Sequence, residues 1–162
     1  MDVVEEALRR DVDYSEAFDR RVRQLGDRLS QALGSGVRHD SDMNYNAGEG
    51  LVVYLADDGS VIDDEVQAGF RVTVRVSSRG PLWALFAWRR GPRAWDWLDL
   101  GHPLGKNPQV EALRRRIEQV LGGAGLHEVE RPLLDEVVPG AVTGLDGAPA
   151  TVREVLFCEI CC

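Results

Sequence analysis

Consecutive strand patterns joined by short turns fill the middle of the chain, and they constrain the fold more than any other feature. Residues 70–78 alternate strictly, with apolar side chains at Phe70 and Val72 and a polar one between them at Arg71. This period of two is typical of a strand that is buried on one side. Links of hairpin length leave no room for the crossover helix that a parallel pair needs. The sequence therefore predicts an antiparallel sheet and disfavours a doubly wound parallel fold.

Several other segments have the composition of strands. The apolar runs 51–56 and 82–90 each predict one, and the second is apolar on both faces, which is typical of a central strand. Asp58-Gly59 predicts a tight hairpin turn, because glycine tolerates the positive φ that such turns need. A short return strand follows at Val61. Further short strands are predicted at residues 94–100, 126–130 and 151–160.

Two apolar stripes with helical spacing flank this block of strands. The first begins after Asp13 and Glu16, which have the types of a capping pair, and it ends at Gly34. The second begins after Asn107-Pro108, a favourable N-cap and first helical residue. Because residues three or four apart share one helix face, each stripe predicts a helix packed against the sheet. The stripes are Phe18, Val22, Leu25, Leu29 and Leu33, and Val110, Leu113, Ile117, Val120 and Leu121.

These patterns together predict one α+β domain over residues 1–162, within the roughly 100–200 residues of an ordinary domain. We expect an antiparallel sheet of about four to six strands with the two main helices packed on one face, as a two-layer sandwich. Residues 1–12 are expected to be a weak helix or a frayed N-terminal segment. Residues 37–49 and 132–149 have the composition of loops.

The charge balance limits the possible partners. Nineteen Lys and Arg against twenty-seven Asp and Glu give a net charge of −8. We predict no nucleic-acid partner and no membrane partner, because both usually require clustered Lys and Arg. A basic protein partner fits better, since opposite charges speed encounter. Solubility alone is the plainer interpretation of the acidity.

Other features of the chain favour a bacterial, cytoplasmic protein. An apolar run of about 18 residues, which a spanning helix needs, is absent, and the acidic N-terminus does not resemble a signal peptide. The three cysteines are clustered and give no disulfide framework, which favours a reducing compartment. Arginine supplies all the basic residues except Lys106, a bias that we associate with a bacterial genome rich in G and C.

An acidic band is the first candidate binding site. Eight carboxylates lie between residues 40 and 65, and no Lys or Arg lies in that stretch. We expect a local negative potential that a basic partner meets at the rim of an interface. Turn chemistry and a solvated surface are the alternative interpretation, and the spacing of a calcium-binding EF-hand is absent. Within the band, partner binding is predicted for Asp57, Asp58, Asp63, Asp64 and Glu65.

An aromatic and arginine-rich segment is the second candidate. Residues 88–97, with the sequence WRRGPRAWDW, mix tryptophan with arginine, and both residue types are enriched at the centres of protein interfaces. We predict Trp95 and Trp97 as anchors beside the acidic band. Two alternatives are open: the tryptophans fill the core, or they stack on single-stranded bases.

No metal site and no cofactor are predicted from the cysteines and histidines. Cys158, Cys161 and Cys162 form C-x-x-C-C, but a structural zinc ion needs four ligands and no second pair is present. On a strand, Cys158 and Cys162 would share one face and Cys161 the other. The three histidines, at positions 39, 102 and 127, are each isolated along the chain.

Catalysis also lacks a candidate. The motifs of serine hydrolases, phosphate-binding loops and zinc proteases are absent. His102 and Asp99 are three residues apart, but no nucleophile accompanies them. Acid–base pairs built from residues distant in sequence cannot be recognised at this level. The sequence therefore favours a protein that is not an enzyme.

In size, acidity and element order, the chain resembles the small bacterial immunity proteins that neutralise toxins, and also the small acidic secretion chaperones. Both resemblances imply a non-catalytic protein-binding module whose basic partner is a toxin or a secreted effector. The alternative is a small-molecule-binding domain or an enzyme, with a pocket between sheet and helices that holds His102, Asp99 or a cysteine. A deep pocket with convergent polar groups would favour that alternative.

Overall fold

The computed structural model describes residues 2–34, 36–40, 47–98, 107–144 and 146–158. Short helical turns of the 3-10 type lie at Glu65–Gln67 and Leu133–Asp135, and a π-helical turn lies at Glu154–Cys158. The α-helices are α1 (Val3–Leu8), α2 (Glu16–Leu33) and α3 (Pro108–Gly123). The strands are β1 (Arg38–Asp40), β2 (Gly48–Leu55), β3 (Val61–Ile62), β4 (Phe70–Ser77), β5 (Leu82–Arg90), β6 (Trp95–Leu98), β7 (His127–Glu128), β8 (Val137–Val142) and β9 (Pro149–Thr151).

Seven of these strands form one mostly antiparallel sheet, which confirms the α+β class but exceeds the expected four to six strands. The order is β1-β2-β4-β5-β6; β3 pairs with β2, and β7 runs parallel to the start of β5. β1 has three residues and lies within residues 37–49, whose composition predicted a loop. β8 was also predicted as loop, because Pro139 and Gly140 interrupt its pattern. It pairs with β9 in a separate two-stranded sheet.

Helices α2 and α3 pack on the sheet through the two predicted stripes. All five residues of the first stripe are buried, and in the second only Val120 is partly buried against the same cluster. The stripes contact alternate residues of β2, β4 and β5, such as Leu51, Val74 and Leu85. The two helices and their packing against the sheet are therefore confirmed.

The ends and the middle of α2 show why this helix lies where it does. The N-cap is Ser15 rather than the predicted Asp13, whose carboxylate accepts a hydrogen bond from the amide of Ser15 at 2.8 Å. The helix ends, as predicted, at Gly34, whose φ of 70° favours glycine. Midway, a β-carbon at Gly26 would lie 3.1 Å from Cδ2 of Leu51. The missing side chain therefore allows α2 to pack closely on β2.

The opposite face of the sheet carries a second core, so the two-layer arrangement is not confirmed. Buried residues of β5, such as Leu82 and Ala84, pack there with α1, the second 3-10 helix and the π-helical turn. α1 contributes Val4 and Ala7 to this core. Of the two expectations for residues 1–12, the helix is therefore found, and it is packed rather than frayed.

Residues 152–158 do not continue the strand predicted for residues 151–160, whose last two residues lie outside the described part. β9 ends at Thr151, and the π-helical turn follows. The Glu154 carboxylate accepts hydrogen bonds from the amide and the hydroxyl of Thr151 at 2.7 and 3.0 Å. Threonine followed three residues later by glutamate is a capping box, which begins a helix. This local signal outweighs the strand propensity of the apolar residues that follow it.

Candidate functional site

The two aspartates of the β2–β3 turn are both exposed, as a binding rim requires. Asp58 accepts hydrogen bonds from the amide and the hydroxyl of Ser60 at 2.9 and 2.6 Å. The side-chain bond from Ser60, followed by the backbone bond, lowers the pKa of Asp58 below its ordinary value because both bonds stabilise the charged form. The turn also contains Gly59 at φ 89°, as expected of Asp58-Gly59.

The three acidic residues that follow β3 are also exposed. The Asp63 carboxylate accepts a hydrogen bond from the amide of Gly36 at 2.7 Å. Asp64 is the N-cap of the first 3-10 helix, where its carboxylate accepts from the amide of Val66 at 2.9 Å. We call Asp57, Asp58, Asp63, Asp64 and Glu65 the acidic edge. The rest of the predicted band is divided: Glu49 is buried, Asp40 is partly buried, and Asp42 lies outside the described residues.

Folding brings two arginines to the acidic edge, which the sequence pattern did not indicate. Arg38 donates a hydrogen bond to the backbone oxygen of Asp63 at 3.0 Å. Arg90 donates to the backbone oxygen of Ala68 at 2.7 Å and also to that of Glu65. Both guanidinium groups therefore bond to main-chain oxygens in this segment. The ion pairs found in the described part of the chain do not include Asp57, Asp58, Asp64 or Glu65.

The aromatic residues predicted as anchors lie on β6, beside this segment. Trp95 is half-buried, its ring centroid is 6.3 Å from that of Tyr54, and the guanidinium carbon of Arg90 lies 4.5 Å from its ring centroid. Since Arg90 also bonds to Glu65, the structure brings Trp95 and part of the acidic edge together. The backbone of Trp97 pairs with Trp88 of β5, and its side chain lies outside the described part.

A pocket of about 360 Å³ lies between the β2–β3 turn and the start of α3. Its charged lining residues are Asp58 and Arg116, so it adjoins the acidic edge. Of the residues expected in an enzyme pocket, Cys158 lies in the π-helical turn and is not among the lining residues; His102, Asp99, Cys161 and Cys162 lie outside the described residues. Its lining residues are Asp58, Gly59, Pro108, Gln109, Ala112, Leu113 and Arg116.

The structure also assembles three ionisable residues that the sequence pattern keeps apart, and we call Asp19, His39 and Glu49 the His39 cluster. They lie on α2, β1 and β2, respectively. His39 pairs with Leu51, and Glu49 precedes Leu51 by two residues on β2, so both side chains lie on the helix-covered face. The available signal in the sequence was the single carboxylate of Glu49 next to the apolar run 51–56. The strand predicted for that run began at residue 51, so it did not include Glu49.

The geometry of the His39 cluster is compact and largely buried. Nε2 of His39 is 2.8 Å from Oε2 of Glu49 and 3.8 Å from Oδ1 of Asp19. The side chain of Glu49 is 1% exposed, that of His39 12% and that of Asp19 35%. Oε1 of Glu49 is buried and has no hydrogen-bond partner among the described residues.

The electrostatics of the two carboxyl groups in this cluster differ. Burial raises the pKa of Glu49, against the opposing effect of the His39 hydrogen bond. The hydrogen bond from Arg23 to Oδ2, at 2.9 Å, lowers the pKa of Asp19. The cluster therefore contains one carboxyl group whose pKa is lowered beside one whose pKa is raised.

A second ionisable cluster, the Arg114 cluster, joins α3 to the segment around β7. Nη1 of Arg114 lies 2.6 Å from Glu128, and its guanidinium group also contacts Glu111, at 2.9 Å, and two further carboxylates. Burial raises the pKa of Glu128 to about 7, against the opposing charge of Arg114. The four carboxylates around the one guanidinium group belong to Glu111, Glu118, Glu128 and Glu130.

Comparison with known proteins finds no matching family model, curated protein or solved structure. Among the helices of the described residues, none is long and apolar enough to span a lipid bilayer.

Proposed function

We propose that this chain is a non-catalytic protein-binding module that meets a basic protein partner through its acidic edge. The observation that carries the proposal is the exposure of all five carboxylates, on two neighbouring segments around β3. Exposed charges of one sign raise the rate at which an oppositely charged partner is encountered. They also cost little to desolvate when they lie at the rim of an interface.

Affinity in this proposal comes from the aromatic residues next to the acidic edge. Interfaces obtain most of their binding energy from a few central tryptophan, tyrosine and arginine side chains. Trp95 and Arg90 have these types, and their stacked arrangement is fixed by the bond from Arg90 to the backbone of Glu65. Trp97, two residues further along β6, is a second candidate anchor.

The proposed partner is a toxin or a secreted effector in a bacterial cytosol. This part rests on the resemblance to immunity proteins and secretion chaperones in size, acidity and α+β element order. A chain with a net charge of −8 suits a partner with a basic surface.

The experiment first captures the partner and then measures association. A photo-crosslinking amino acid at Val66, which is 78% exposed beside the acidic edge, captures proteins in the source cell for mass spectrometry. The captured protein is purified, and its association rate is measured with the wild type and with D57N/D58N/D63N/D64N/E65Q. We expect the association rate of the variant at low salt to be lower than that of the wild type by roughly tenfold or more. The difference should shrink at 1 M salt, where the Debye length is about 3 Å.

A matched variant separates the acidic edge from net charge alone. Five exposed carboxylates elsewhere, Glu5, Asp11, Glu16, Asp27 and Glu136, are changed together to their amides. This variant loses the same formal charge, so we expect it to slow association much less. Equal slowing by both variants would mean that only net charge matters. A wild-type rate for the acidic-edge variant at low salt, or a captured partner without a basic surface, would overturn the proposal.

A further inference from the structure

We propose that Asp19, His39 and Glu49 form a binding site for one divalent transition-metal ion, such as Zn²⁺ or Mn²⁺. Along the chain His39 is isolated, which is why no metal site is predicted from the sequence. In the fold it lies between two carboxylates, and one candidate ligand atom from each of the three residues lies within 4.8 Å of the others. The site is on the helix-covered face of the sheet and is independent of the acidic edge.

The ligand set favours a transition metal over calcium or magnesium. One imidazole nitrogen with two carboxylate oxygens suits Zn²⁺ or Mn²⁺, whereas Ca²⁺ and Mg²⁺ prefer oxygen ligands alone. Three protein ligands leave a further position for water, as in open zinc sites. The 35% exposure of Asp19 places that position on the solvent side.

The unpartnered oxygen of Glu49 is the second observation that points to a bound cation. A carboxylate that is 99% buried is costly unless both oxygens are paired. Oε2 has His39 as its partner at 2.8 Å, while Oε1 has none among the described residues. A metal ion would satisfy this carboxylate. The competing occupant is a proton on Glu49, and the raised pKa of that group is compatible with either.

The distances require the ligand atoms to move by about half an ångström, apart in one pair and together in the other. Metal–ligand bonds of about 2.0–2.2 Å place tetrahedral ligand atoms roughly 3.3 Å apart. The contacts of His39 with Glu49 and Asp19, at 2.8 and 3.8 Å, lie on either side of that value. Arg23 holds Oδ2 of Asp19 and leaves Oδ1 directed at His39. Such outer contacts commonly orient metal ligands.

The test is a metal titration of the full chain after treatment with a chelator. ZnCl₂ and MnCl₂ are titrated calorimetrically and in thermal unfolding, with MgCl₂ and CaCl₂ as comparators. We expect one Zn²⁺ per chain, a raised Tm, and weaker or no response to Mg²⁺ and Ca²⁺. Affinity should increase from pH 6 to pH 8, because the metal must displace protons from its ligands.

Variants assign the site. H39N and E49Q should each weaken Zn²⁺ binding at least 100-fold, and D19N should weaken it about tenfold. In the absence of metal, each variant should be folded and should unfold in one cooperative transition. H127N is the matched control, because it removes an exposed imidazole on β7. C158S/C161S/C162S controls for thiolate ligands. Both controls should bind Zn²⁺ as the wild type does.

Several results would overturn the proposal. Absence of stoichiometric binding by the wild type at 1 mM ZnCl₂ and MnCl₂ would mean that a proton is the occupant. Undiminished binding by H39N would place the metal elsewhere, and so would loss of binding in the triple cysteine variant. If E49Q fails to fold, H39N and D19N decide the question, since their side chains are more exposed than that of Glu49.

Discussion

The Arg114 cluster and the His39 cluster both hold a glutamate whose pKa is raised by burial, but they differ in the basic group beside it. Glu128 has a guanidinium group at 2.6 Å, and Glu49 has an imidazole at 2.8 Å. Guanidinium is charged at every accessible pH and does not ligate metal ions, whereas a neutral imidazole nitrogen is a common metal ligand. The first cluster therefore contains a fixed cation, and the second contains a side chain that can bind a metal ion. This difference separates a structural ion-pair network from a site that can hold a metal ion.

The largest expected effect comes from removing the fixed cation. Arg114→Leu leaves Glu128 buried among three other carboxylates, without the group that holds it at 2.6 Å. Breaking such a pair costs about 3–5 kcal/mol when it is fully buried. Because the two side chains are 15% and 12% exposed, we expect a loss of about 2–4 kcal/mol at pH 8 in urea unfolding.

The neighbouring arginine provides the control for this change. Arg115 also contacts Glu111, at 3.1 Å, but its side chain is 73% exposed. Arg115→Leu should therefore change the free energy of unfolding by no more than about 0.5 kcal/mol. Similar losses for the two variants would mean that Arg114 acts as an ordinary surface charge.

Local patterns explain how much of this structure was predictable. The stripes on α2 and α3 were found because the period of a helix can be recognised within a short stretch of sequence. The hairpin at Asp58-Gly59 was found because turn chemistry is equally local. The His39 cluster was missed because it joins residues on three elements, and only strand register decides which side chains share a face. The apolar run of β5 indicated burial on both faces, but the elements that cover its second face, α1 and the short helical turns, were missed because they are short and lack a clear period.

The second prediction concerns the pH dependence of the Arg114 cluster. Burial raises the pKa of Glu128 to about 7 in the folded chain, against an ordinary value of about 4.5. The folded state therefore binds more protons between these values, so the free energy of unfolding falls as pH rises from about 4.5 to about 7. We expect Glu128 to contribute about 1–3 kcal/mol to this fall, at 1.36 kcal/mol per pKa unit. Glu128→Gln should remove that contribution in urea unfolding at several pH values.

A second glutamate in the same cluster serves as the control. Glu118 contacts Arg114 at 3.6 Å and its side chain is 56% exposed. Glu118→Gln should leave the slope between pH 4.5 and 7 nearly unchanged. If Glu128→Gln keeps the wild-type slope, the guanidinium group has compensated for burial completely.

The smallest expected effect comes from the His39 cluster, and it tests the comparison with the Arg114 cluster most directly. Burial raises the pKa of Glu49, so stability without metal should fall as pH rises above the ordinary range of that group. Glu49→Gln keeps the shape of the side chain and cannot ionise, so its unfolding free energy should lack this contribution. At acid pH, where both side chains are neutral, the two proteins should differ by no more than about 1 kcal/mol.

Added Zn²⁺ should oppose the fall in the wild type at pH 8 and have no effect on Glu49→Gln. It should also leave the slope due to Glu128 unchanged, because a fixed guanidinium group occupies that cluster. If Glu49→Gln without metal has the same pH profile as the wild type, Glu49 remains ionised in the folded wild type. Its carboxylate would then be satisfied by His39 alone.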